Sequence, residues 1–317
     1  MKNFLKPLLF TGLSVICFSS CDDDDNNSMN QSKTVYEIVS ADTNLSSLKA
    51  AIDRAGLNTT LSQSGNYTVF APSNTAFNTF LTANGFANLN AVPVPVLKEI
   101  LLNHVLSTEV KAASVTTGYV STLAKGAAST TRNLSMFINT ASGVKINGVS
   151  NVVATDIDAN NGVIHKVDAV IGLPTVVTHA TANPSFSTLV SALTRNDMPN
   201  FVGILSGTTS SPFTVFAPTN AAFTSLLTEI SQPNLAAIPQ ATLENVLKYH
   251  VVAGANVGSN NLTNGMSVTT YQGGTFTINT TGGAKITDAN ARISNITATD
   301  VQCDNGIIHV IDKVLRP

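Results

Sequence analysis

The stretch YTVFAPSNTAF at Tyr67–Phe77 decides the fold, because it returns almost unchanged as FTVFAPTNAAF at Phe213–Phe223. The two lie 146 residues apart, and the same spacing carries His104 in LLNHV onto His250 in LKYHV. A third block, NNGVIHKVDAVI from Asn160 to Ile171, returns 144 residues later as DNGIIHVIDKVL from Asp304 to Leu315. Three matched blocks in one order mark a duplication. The join falls near Leu173, Pro174 and Thr175, which divides the chain into domains at 33–173 and 174–317. Length agrees, since the 317 residues, less a leader, fit two domains of roughly 150 residues each.

Each copy has one internal order. A strand through Thr68–Phe70, or Thr214–Phe216, is expected to end at Ala-Pro, because proline has no N–H to give a ladder. Ser73-Asn74 and Thr219-Asn220 then offer side-chain oxygens to cap a helix that holds Phe77 and Phe80, or Phe223 and Leu226. Upstream, Leu45, Leu48, Ala51 and Ile52 have helical spacing, as do Phe186, Leu189, Ala192 and Leu193, so an amphipathic helix is predicted to open each copy. Downstream, a further helix is predicted over 96–106 and 242–251. The back half alternates with period two, as in Thr275-Phe276-Thr277-Ile278, and reads as strand. Helices followed by a β-rich half make an α+β domain.

The histidines fall into this pattern. Leu97, Ile100, Leu101 and His104, like Leu243, Val246, Leu247 and His250, share one helix face, which makes each histidine a core or groove residue with a hydrogen-bonded ring. His165 and His309 alternate with apolar residues in a strand, and Asp168 and Asp312 beside them read as braces for a turn. His179 is the one histidine without a counterpart in the other copy.

Composition narrows function. Charged residues are 11% of the chain and hydrophobic ones 43%, without a long apolar run, which excludes a disordered polyelectrolyte and a polytopic membrane protein. With Asp22–Asp25 and the leader lysines Lys2 and Lys6 set aside, the 19 acidic and 17 basic residues balance. Nucleic acid is therefore not an expected partner, since phosphate binding needs a basic surface. Tryptophan is absent, which speaks against a platform for stacking sugars. There is no HExxH, GxSxG, CxxC, P-loop or GxGxxG that opens a helix. Asp156 and Asp158 have only Asp300 as a counterpart, and ATDIDANNG at 154–162 lacks the closing glutamate of a calcium loop, so it reads as a turn. No enzyme activity, metal or cofactor is expected.

The first 21 residues, MKNFLKPLLFTGLSVICFSSC, place two lysines before a short apolar core and small Ser19 and Ser20 before Cys21. The core is about half the ~20 residues of a spanning helix, so 1–20 reads as an export signal. The cysteine behind it resembles a bacterial lipoprotein signal, in which Cys21 becomes the lipidated N-terminus. The acidic run Asp22, Asp23, Asp24 and Asp25 resembles the surface-export signals of Bacteroidetes lipoproteins, and 21–32 continues as a polar tether. That predicts an outer-membrane lipoprotein, held to the membrane only through its lipid and exposed at the cell surface of a Gram-negative bacterium. Cys303 is then the lone mature thiol, read as a small buried hydrophobe, and no intrachain disulfide is expected.

The repeated blocks also carry a family resemblance. TVFAPSNTAF and TVFAPTNAAF resemble the first signature of the fasciclin domain, GVIHKVDAVI and GIIHVIDKVL its second, and Lys248-Tyr249-His250 its Tyr-His motif. The resemblance implies two domains, each a wedge-shaped β-sandwich of about seven strands flanked by α-helices. It further implies adhesion or extracellular binding, without catalysis. Partner contact would then involve Tyr249 and His250 and, in copy one, Asn103 and His104, where asparagine replaces the tyrosine. The expected partner is an extracellular protein or polysaccharide. The alternative is a periplasmic or surface carrier that takes a small apolar or glycan ligand between sheet and helices.

Overall fold

The structure, a computed structural model, describes residues 33–317. The export signal, Cys21 and Asp22–Asp25 lie outside the described residues.

Copy one comprises helices α1 (Val35–Ala41), α2 (Ser46–Arg54), α3 (Asn58–Ser62), α4 (Asn74–Ala83) and α5 (Val94–Leu102). Its strands are β1 (Tyr67–Pro72), β2 (Val105–Leu106), β3 (Gly118–Ser121), β4 (Ser135–Asn139), β5 (Lys145–Ile146), β6 (Ser150–Ala159) and β7 (Gly162–Val167). Copy two repeats the order with α6 (Val176–Ala182), α7 (Ser187–Leu193), α8 (Phe201–Ser206), α9 (Asn220–Glu229) and α10 (Gln240–Tyr249). Its strands are β8 (Phe213–Pro218), β9 (Val251–Ala253), β10 (Ser267–Thr269), β11 (Thr275–Asn279), β12 (Lys285–Thr287), β13 (Ile293–Cys303) and β14 (Gly306–Ile311). Each copy is thus an α+β domain with one seven-stranded sheet, ordered β2-β1-β7-β6-β5-β4-β3 in the first and β9-β8-β14-β13-β12-β11-β10 in the second.

The sheet folds at its longest strand. β6 pairs with β7 along one part and with β5 along the other, and its register shifts twice around Ala154, where Asp156 takes φ 58°. β13 is bulged in the same way, with Asp300 at φ 62°. A bulge adds twist, and a short polar side chain tolerates the left-handed conformation. Alternation along β1 then feeds two cores. Val69 and Ala71 face the helices with Leu48, Ile52 and Leu97, while Phe70 faces Met136, Ile138 and Ile146 of the folded-over half. Helices, half-sheet and half-sheet form three layers, which is the sandwich flanked by helices.

The central contact within each copy is the parallel pairing of β1 with β7, and of β8 with β14. Gly162 stands opposite Tyr67 at φ 148°, and a Cβ there would lie 2.0 Å from the Tyr67 carbonyl oxygen. The neighbouring buried Asn161 accepts from Val35 N at 2.8 Å and donates to the carbonyls of Leu61 and Gln63, which ties α1 and α3 to the β6–β7 turn. Asn305 repeats this with Val176 and Leu205.

Capping follows the sequence at several points. Ser73 and Thr219 accept from Ala76 N and Ala222 N as N-caps of α4 and α9. Two expectations are corrected. A further helix, α1 or α6, precedes the predicted opening helix, and Thr34 and Glu37 form a capping box at the start of α1. The helix expected over 96–106 ends at Leu102, and Val105–Leu106 leaves as β2 to pair with β1; in copy two the helix ends at Tyr249 and Val251 begins β9. The reason is the histidine. Its ring takes the Ile100 carbonyl at 2.7 Å while its own backbone N–H tightens onto Leu101, so the helix closes and the chain turns into the sheet.

Candidate functional site

His104 and His250 are both buried. In each, Nδ1–H donates to the carbonyl four residues back, Ile100 or Val246, and Nε2 accepts from a backbone N–H, that of Ile171 or Leu315, at 2.9 Å. Only a neutral ring with its proton on Nδ1 makes both bonds. Burial accordingly pushes both pKa values down to about 4. His165 and His309 use the opposite tautomer. Nε2–H donates to Val110 or Val257 at 2.8 Å, and Nδ1 accepts from Asp156 N or Asp300 N. Four histidines thus each fasten two backbone segments.

The residues beside them are buried as well. Tyr249 packs edge-on against Phe276, and its hydroxyl donates to the Thr275 carbonyl at 2.5 Å. Asn103, at the same place in copy one, donates to the carbonyls of Ile171 and Gly172. All four side chains are between 0% and 3% exposed, so a partner could touch them only by opening the core. Asp168 and Asp312 brace turns by accepting from the backbone and side-chain amides of Asn151 and Asn295. Asp156 accepts from Ala112 N and Asp158 pairs with Lys111, so 154–162 is strand and turn. Among the described residues, no group of three or more His, Cys, Asp or Glu side chains could hold a metal. No described helix is long and apolar enough to cross a membrane. Cys303 is fully buried, which pushes its thiol pKa well above the ordinary range.

The unpaired histidine marks the junction between the copies, which sequence reasoning did not locate. His179 is fully buried on α6, edge-to-face with Tyr119 of β3 at 5.3 Å, and Asn183 donates to the Tyr119 hydroxyl. Neither ring nitrogen of His179 closes a hydrogen bond of ordinary geometry; burial pushes its pKa down to about 4, and the nearby Ser135 backbone opposes this only in part. Around it, Gln302 N donates to Ser135 Oγ, and Arg132 pairs with Asp300 at 3.3 Å and with Asn260. Asp304 joins three segments: its carboxylate accepts from Ala127 N at 2.9 Å, its carbonyl from Ala128 N, and its own N–H donates to Pro174 in the linker.

The copies differ at the cleft between helices and sheet. Where the opening helices meet the sheet, copy one is packed to a void of about 10 Å³, whereas copy two holds a cavity of about 270 Å³.

The family model for the fasciclin domain matches residues 43–174 and 184–317, and the chain belongs to that family, with two copies of its domain. An uncharacterized protein of Synechocystis, sll1735, is 38% identical over 143 residues, which are 45% of this chain and 98% of that protein. Human periostin is 25% identical over 268 residues, 84% of this chain, and this chain spans 30% of periostin. A solved domain pair from the insect cell adhesion molecule fasciclin I covers 89% of the chain, and 96% of that pair is covered, at a TM-score of 0.48 and 20% identity.

Proposed function

We propose that the chain is a lipid-anchored, cell-surface binding protein that adheres to an extracellular protein or polysaccharide through two fasciclin domains held as one rigid pair. The observation that carries this reading is the junction, where Asp304, Arg132 and the buried Tyr119–His179 contact fix two copies of a binding fold in one orientation. Two epitopes at a fixed spacing bind a repetitive partner with avidity. Tyr249, His250, Asn103 and His104 then serve as braces, and contact falls to the outer polar surface. Because so few side chains are charged, binding depends little on salt.

Protease treatment of intact cells tests the location. The native chain is expected to be shaved, and replacing Asp22–Asp25 by alanine is expected to protect it while Cys21 is still lipidated. Protection of the native chain would overturn the surface reading. Binding of the pair to matrix proteins and glycans, compared with either copy alone, tests avidity, and equal affinity would remove the bivalent role.

A further inference from the structure

The duplication supplies its own control for the cavity of copy two. Eight lining positions are shared between the copies, among them Leu48 and Leu189, Val69 and Val215, and His104 and His250. What differs is the cover. In copy one the Tyr36 hydroxyl donates to Asp53 at 2.6 Å and Lys49 pairs with the same carboxylate at 2.7 Å, which draws α1 and α2 together over the core. The matching positions in copy two are Val177, Val190 and Thr194, and all three line the cavity. Two fillers are also lost. Val39 becomes Ala180, and Leu123, which packs on the core of copy one, becomes Tyr271, which is exposed.

The walls select the occupant. They contain no charged side chain, and their only hydroxyls are already used, Thr181 donating to the Val177 carbonyl and Thr194 to the Val190 carbonyl. Both nitrogens of His250 are engaged. Water needs two or more polar partners, and an apolar cavity of roughly 150 Å³ stays dry yet accepts benzene. At about 270 Å³ this one has room for nearly twice that hydrocarbon. Thr181, Thr194 and Val202 are exposed lining residues, so an end group can stay in water.

We propose that copy two binds one unbranched alkyl chain of about ten carbons, buried between α6, α7, α8 and β8 with its polar end at the surface. The site recognises hydrocarbon length and not the head group. Titration of the whole chain with linear 1-alkanols of increasing length, followed by calorimetry, tests this. One molecule per chain is expected, tightening roughly fourfold per methylene until the cavity is full near ten carbons, then levelling. The triple variant Val177→Tyr, Val190→Lys, Thr194→Asp restores the cover of copy one and should weaken decanol at least tenfold without lowering the unfolding midpoint. Should that variant fail to fold, Ala180→Leu fills the cavity from within and is expected to weaken decanol likewise. Co-sedimentation with phosphatidylcholine vesicles that is lost in the covered variant would identify a membrane acyl chain, and its absence a free one. No dependence on chain length, or unchanged binding in the folded covered or filled variants, would overturn the site.

Discussion

Lowering the pH from 7.5 to 5.0 should loosen this protein, and His179 should carry about 2 kcal/mol of the effect. His104, His179 and His250 are buried neutral, with pKa values pushed from 6.5 down to about 4 by burial. The unfolded chain therefore binds more protons than the folded one between these values. Stability is complete above 6.5, falls as pH drops toward 4, and levels below it. At pH 5 each histidine costs about 2 kcal/mol relative to pH 7.5, rising to about 3 kcal/mol below pH 4. His104 and His250 each fasten two backbone segments, whereas His179 sits against Tyr119 and near the Ser135 backbone without a hydrogen bond of ordinary geometry. Copy one shows the neutral replacement, since Ile38 fills the matching place. His179→Ile should match or exceed the native stability at pH 7.5 and lose about 2 kcal/mol less on acidification. Urea unfolding followed by far-ultraviolet circular dichroism at both pH values reads this directly. Equal acid losses in variant and native chain would refute the assignment of the ring.

Three further outcomes follow from the braces. Gly162→Ala should destabilise copy one by about 3 kcal/mol or more, because its Cβ meets the Tyr67 backbone at a positive φ, and the loss should show as an early transition in thermal unfolding. Tyr249→Ala should cost copy two about 3 to 5 kcal/mol by emptying a core site beside Phe276, and Tyr249→Phe only about 1 kcal/mol for the hydroxyl bond, both measured by denaturant midpoint. Asp304→Ala should cost about 1 to 2 kcal/mol at the junction and speed limited proteolysis of the 124–132 segment, with each copy's own stability unchanged.

Much of this architecture could be read along the chain, because it rests on local chemistry. The strand that ends in Ala-Pro, the Ser73 and Thr219 caps and the apolar stripes bearing His104 and His250 are all set by residues within a few positions. Helix α1 was missed, although Thr34 and Glu37 spell a capping box before it. Its counterpart α6 carries a weaker signal, because Thr178 replaces the glutamate. The helix end at His104 depended on a ring whose second bond, to Ile171, closes a loop of 67 residues, and no periodicity encodes that. The cavity was half legible. Aligning the copies shows Tyr36, Lys49 and Asp53 giving way to Val177, Val190 and Thr194, but only the fold shows that these six positions cover one space in each copy.

The Asp304 fastening also changes how the chain transmits force. A pull applied between the two ends of the described chain passes from copy one to copy two along Leu173, Pro174 and Thr175 and across the junction. Pro174 does not hang free in that path, because its carbonyl is held by Asp304 N at 2.7 Å, and the same residue grips Ala127 and Ala128 of copy one. The junction therefore bears load in parallel with the linker, as a stiff coupling and not a swivel, and tension reaches the covalent connection only after these bonds part.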